Sequence, residues 1–114
     1  MLINLDNLKV LSRHNHSFIR EILEVYLMNT PKDLLKMRES VDAQDWPVVR
    51  YFAHKLKSSS FTIGFIEGHR RFQMIEQIIK SEGDMSQITP MFNEAIMLCD
   101  ECITEVKLEL TKYI

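Results

Sequence analysis

The sequence predicts an all-α fold: an antiparallel up-and-down four-helix bundle preceded by a short N-terminal helix. Three observations carry this. Apolar residues recur at helical spacing along nearly the whole chain. Only three glycines and three prolines occur in 114 residues, and Asn-Gly and Asp-Gly are both absent, so the turn punctuation of a β-sandwich is missing. Hydrophobic residues make up 46% and charged residues 26%, the balance of a globular chain, and the length suits one core rather than two.

Leu5, Leu8 and Leu11 repeat at helical spacing and predict two turns at the N-terminus. Asn15 is a good N-cap for the next helix, which carries Phe18, Ile22 and Val25 on one face. Thr30-Pro31 supplies a cap followed by proline at a first helical position, which predicts a restart; Leu34, Leu35 and Val41 give that segment its apolar side. Asp45-Trp46-Pro47 signals another start, with a helix running to about Ile63 and Gly64 as its stop. From about Ile66 a further helix sets Phe72, Ile75 and Ile79 on one face and ends near Gly83. Gly68, a turn before Phe72, is read as a point of close approach by a neighbouring helix. The last helix runs from about Ser86 to Tyr113. Its stripe of Ile88, Phe92, Ala95, Cys99, Cys102, Val106 and Tyr113 advances mostly in steps of three and four, as a bundle seam does.

Charge and composition narrow the function classes. Fourteen Lys and Arg against sixteen Asp and Glu give a net charge of −2, with no electrostatic footprint for nucleic acid or an anionic membrane. Apolar runs are too short for a transmembrane span or a secretory signal, so no membrane insertion and a cytoplasmic location are expected. Cys99 and Cys102 formally match C-x-x-C, but both fall on the apolar seam and no second pair exists, so packing is the expected role. His14-x-His16 lacks a third ligand and reads as surface. The seven methionines read as core filler, and no metal or cofactor site of the chain's own is expected.

The segment Ala53-His54-Lys55-Leu56-Lys57-Ser58-Ser59-Ser60 is the informative one. At about 100° per residue with Leu56 set inward, Val49, Phe52, Ala53, Ser60 and Ile63 fall within roughly 60° of the core direction. His54 falls at about 160°, central on the outward face. Ser58 one turn later is small enough to leave the imidazole open; Lys55, Lys57 and Arg50 bring positive charge; Tyr51 and Phe61 form an outward apolar rim suited to docking. In an antiparallel hairpin turning at Phe65, His54 lies eleven residues before the turn and Glu76 eleven after it. Glu76 is therefore placed to accept a hydrogen bond from Nδ1–H and leave Nε2 as the free lone pair.

This segment resembles the histidine phosphotransfer (HPt) domain family of two-component phosphorelays, whose motif is roughly Ala-His-x-Leu-Lys-Gly-Ser-Ser followed by Gly. Here the run ends at Gly64, and the helix order and lengths match the family across residues 1–114. The resemblance implies that His54 is the phospho-acceptor through Nε2, that Lys57 neutralises phosphoryl oxygens, and that Glu76 holds the imidazole where members carry Gln or Glu. Glutamate there is more like the phospho-accepting domain of chemotaxis kinases. Ser58 departs from the usual glycine, which implies slower or more selective docking. The resemblance further implies a carrier that receives a phosphoryl group from one receiver aspartate and passes it to another. Its implied partners are response-regulator receiver domains and a hybrid sensor histidine kinase, with Mg²⁺ supplied by the receiver; the alternative to a free-standing chain is a C-terminal module of a membrane-bound hybrid sensor kinase. No Gly-rich phosphate loop or Walker lysine is present, so neither ATP binding nor autokinase activity is expected. The expected state is a monomer. The alternative reading is a helical adaptor that binds a protein partner through the outward face around Tyr51, His54 and Phe61.

Overall fold

A computed structural model describes all residues from Met1 to Ile114. Four long helices form the bundle: α2 (His16–Asp42), α3 (Trp46–Thr62), α4 (Ile66–Lys80) and α5 (Ile88–Leu110), preceded by the short α1 (Asp6–Leu11). A 3₁₀ turn at Met85–Gln87 leads into α5. Each long helix packs on its neighbours in sequence and α5 closes the ring on α2, so α2 and α4 occupy opposite corners. The bundle measures 42 × 21 × 21 Å.

The α5 seam is as the sequence indicates: Ile88, Phe92, Ala95, Cys99, Cys102 and Val106 are all buried. Tyr113 lies beyond the end of α5, where its ring packs edge-on against His16. Asn15 caps α2, its side chain accepting from the Phe18 N–H at 3.0 Å.

α2 departs from expectation. It runs unbroken through Pro31, where a restart was expected. A proline inside a helix costs about 3 kcal/mol. Here Pro31 is on the exposed side, while Tyr26, Thr30, Leu34 and Met37 continue one buried stripe across it, and that packing keeps the axis intact. The buried face is also displaced from the expected one. Ile19, Leu23 and Tyr26 point inward, whereas Phe18, Val25 and Leu35 are exposed. The true core stripe contains Thr30, Asp33 and Ser40, and these polar residues break the apolar signal that periodicity follows. Leu5 and Leu8 are buried but Leu11 is exposed.

All four helices from α1 to α4 end alike, with paired hydrogen bonds around residues of positive φ: Arg13 and His14 after α1, then Gln44, Gly64 and Glu82. For α4, Gly83 N–H donates to Ile78 O (2.8 Å) and Glu82 N–H to Ile79 O (3.2 Å). The helix therefore stops at Lys80, and Glu82 rather than Gly83 takes the left-handed conformation. At the end of α3, Gly64 does take it, with φ 71°. A β-carbon on Gly64 would overlap the backbone carbonyl of Asn4, so the glycine both turns the chain and seats the N-terminal segment. That segment buries Ile3, Leu5 and Leu8, and Leu2 N–H donates to the Glu105 carboxylate at 2.8 Å. Gly68 admits not a neighbouring helix but the ring of Phe65, folded back on the first turn of α4.

Two glycine substitutions separate these roles. Gly64→Ala is expected to cost about 2 kcal/mol or more, because strain and overlap combine. Gly83→Ala, whose nearest neighbour would stand at 3.5 Å, is expected to stay within about 0.5 kcal/mol. Urea unfolding midpoints of the two variants check the contrast.

Candidate functional site

The turn at Gly64-Phe65 folds α4 back antiparallel to α3, and Ser60 N-terminal to it anchors the turn by accepting from the Phe65 N–H at 2.9 Å. Phe65 is fully buried and fixes where α4 begins. Val49, Phe52, Ala53 and Leu56 bury the inner face of α3. The outward face then presents His54, whose side chain is 64% exposed.

His54 Nδ1 lies 2.8 Å from Glu76 Oε2 on α4, the pairing expected from equal distance to the turn. Since a carboxylate oxygen only accepts, Nδ1–H donates, and in the neutral imidazole Nε2 is the nitrogen left with its lone pair toward solvent. The second oxygen, Glu76 Oε1, accepts from Lys57 Nζ at 2.7 Å. Glu76 is 14% exposed, so both its oxygens are spoken for in a partly desolvated place. Burial acts to push its carboxyl up, but hydrogen bonds and positive charge from Lys57 and His54 outweigh it and hold the group below the usual carboxylate range. One turn further along, the His69 ring Nδ1–H donates to the Lys57 carbonyl at 3.1 Å and ties the two helices together again.

The other residues singled out in the sequence surround this centre. Arg50, Tyr51, Lys55, Ser58 and Phe61 are all exposed along the same face. Arg50, Tyr51, His54, Lys55 and Glu76, with Pro47, line an open depression of about 590 Å³. The Tyr51 ring is braced edge-on against Phe52 and the Phe61 ring lies against His69, so the apolar rim is held in place. The two lysines read as positive charge beside the imidazole are both engaged within the chain. Lys57 is committed to Glu76, and Lys55 Nζ donates to Asp33 Oδ1 on α2 at 3.0 Å. Asp33 was missed because an aspartate on the core stripe interrupts the apolar period; its spacing from Tyr26, Thr30 and Met37 is the signal that would have found it. Arg50 has no ion-pair partner, which makes it the free cation of the depression.

Cys99 and Cys102 sit in the core as expected. Burial pushes their thiols up to about 12 and about 11, and Tyr26 Oη donates to Cys102 Sγ at 3.5 Å. Thiols held so far above neutral pH are poor nucleophiles.

Glu76 makes a prediction about pH. Its folded carboxyl titrates below its unfolded counterpart, so the stability it gives is in place above the ordinary carboxylate range and is lost as pH falls through the folded value. Wild type is therefore expected to be more stable than Glu76→Gln near about pH 7, with the gap closing toward about pH 3. Denaturant midpoints across that range read it directly; a gap independent of pH would count against the charged pairing.

The sequence profile of the Hpt domain family matches residues 21–111. No curated protein matches the chain. Among solved structures, the chain is similar to the crystal structure of the HPT domain from the Hpt sensor hybrid histidine kinase from Shewanella. The TM-score is 0.86 at 22% identity, over 97% of this chain and 95% of that one. At that identity the likeness speaks for the all-α bundle. The profile takes in both His54 and Glu76, and with most of the chain matched, this protein belongs to the Hpt domain family, whose work is phosphotransfer in two-component signalling.

Proposed function

We propose that this chain is a phosphorelay intermediate that takes a phosphoryl group onto His54 Nε2 from a receiver aspartate and returns it to another receiver. The observation that carries the proposal is the exposed imidazole of His54 with Nδ1–H donated to Glu76, which in the neutral ring leaves Nε2 as the one lone pair, facing solvent.

In the forward step the Nε2 lone pair attacks phosphorus, a P–N bond forms, and the P–O bond to the aspartate breaks with its electron pair leaving on the carboxylate. The imidazole keeps its Nδ1 proton and gains positive charge. Glu76, already ionised and 2.8 Å away, balances that charge as it develops. Lys57 keeps Glu76 ionised and aimed, so its effect on the reaction passes through the carboxylate. Arg50, with no partner in the chain, is the cation available to phosphoryl oxygens or to acidic residues of the docked receiver. Such a transfer rests on positioning and charge neutralisation and needs little from the carrier. The acidic pocket and Mg²⁺ belong to the receiver. Tyr51 and Phe61 form the apolar part of the docking face, and Ser58 keeps the turn beside His54 low.

Incubation with an aspartyl-phosphorylated receiver is expected to label the wild-type chain with an acid-labile, base-stable phosphoramidate, and His54→Gln is expected to take no label. An adaptor that merely binds through this face would tolerate that substitution. Lys57→Ala is expected to fold at a cost of about 1 kcal/mol and to slow transfer, and Arg50→Ala to slow transfer without loss of stability. Equal labelling of wild type and His54→Gln would end the proposal.

A further inference from the structure

The outward side of α2 carries apolar residues that the bundle does not cover. Phe18 and Val25 are 44% and 45% exposed, and Met28 and Leu35 are each 61% exposed. With Glu21 and Lys32, both exposed, they form the series 18, 21, 25, 28, 32, 35. The steps are three, four, three, four, three, the a/d spacing of a coiled-coil seam continued over nearly three heptads. This seam lies on the side of the helix away from the core stripe of Ile19, Leu23, Tyr26 and Met37.

The series is complementary to itself when reversed. Taken antiparallel about the point between Tyr26 and Leu27, Phe18 meets Leu35 of a second copy, Val25 meets Met28, and Glu21 meets Lys32. Each pairing occurs twice, as a twofold axis requires. Every apolar position faces an apolar one and every charge faces its opposite. In a parallel, in-register pair Glu21 would face Glu21 and Lys32 would face Lys32. Neither residue has an ion-pair partner within its own chain. Charged residues at a and d positions set register and orientation at some cost in affinity.

We infer that the chain self-associates into an antiparallel twofold dimer through this face of α2, the occupant of the seam being a second copy of the chain. A seam one helix wide is at the small end of protein interfaces, so the dimer forms reversibly in the range of roughly 10 µM to 1 mM. α2 is at the corner of the bundle opposite α4, and His54 leans toward α4, so both imidazoles of the dimer remain open. The inference does not rest on the phosphotransfer reading.

Sedimentation equilibrium of the unphosphorylated chain from about 5 µM to about 1 mM tests it. The wild-type mass is expected to rise from monomer toward dimer. Glu21→Lys and Lys32→Glu, which each set like charges across both polar layers, are expected to weaken association about tenfold or more. The double variant Glu21→Lys/Lys32→Glu is expected to regain wild-type association. An equimolar mixture of the two single variants is expected to form heterodimers, because each then meets its opposite. A wild-type chain that stays at monomer mass throughout would overturn the inference. So would single variants that associate as wild type does, since the contact would then lie elsewhere.

Discussion

The Glu76 carboxylate holds two neighbours with its two oxygens, and the geometry around His54 depends on that division. One oxygen takes the Nδ1 proton and so decides which nitrogen is open; the other takes the Lys57 ammonium, which keeps the carboxylate ionised against its partial burial. With the carboxylate gone, the imidazole would lose both its preferred tautomer and its orientation. With Lys57 gone, burial would act on Glu76 with one fewer opposing partner. The pairing requires α3 and α4 to be in register at a point eleven residues from their shared turn. That register is set far from His54, by the left-handed Gly64, by buried Phe65, and by the bare Gly68 that lets the Phe65 ring fold down.

The two sides of α3 treat charge differently. On the α4 side Lys57 and His54 share one acid; on the α2 side Lys55 has Asp33 to itself. Asp33 is buried while Lys55 stays partly exposed, so this pair anchors the helix more than it offers charge to a visitor. His54 is thus held between two ionic tethers that fix α3 relative to both neighbours. What remains open to a visitor on the face is Arg50, the outer sides of the two braced aromatic rings and Nε2 itself. Locked surroundings with a few free groups are what a transfer step governed by positioning requires.

Much of this was legible in the sequence, and the reasons differ by element. The α5 seam could be read because all its core positions are apolar or small, so period and burial coincide. His54 and Glu76 could be paired because a hairpin with one fixed turn has only one register. α2 resisted for two reasons. Thr30, Asp33 and Ser40 occupy its core face while Phe18, Val25, Met28 and Leu35 occupy its outer face, so hydropathy pointed to the wrong side. Pro31 carries a local break signal that tertiary packing overrides. The helix ends were obscured because only Gly64 among the five left-handed residues is a glycine; Arg13, His14, Gln44 and Glu82 leave no such mark. The engagement of Lys57 and Lys55 was hidden because a sequence reports charge but not whether the charge has a partner.

The inverted polarity of α2 has its own physical logic. A buried polar residue on a core stripe is costly unless it finds a partner, and two here have one in plain view: Asp33 with Lys55, Ser40 with the Met37 carbonyl. Large apolar residues on an outer face have no such internal remedy; water must cover them unless another surface does. Four of them at a and d positions, with one acid and one base at the two places where reversal brings them together, is a pattern a helix gains nothing from as a monomer. Burying Glu21 against Lys32 limits the strength of the contact, because desolvation offsets most of what the pair returns. The same pair forbids the parallel alternative. Weak affinity and a fixed orientation therefore come from the same two residues, on a face set apart from the one that carries His54.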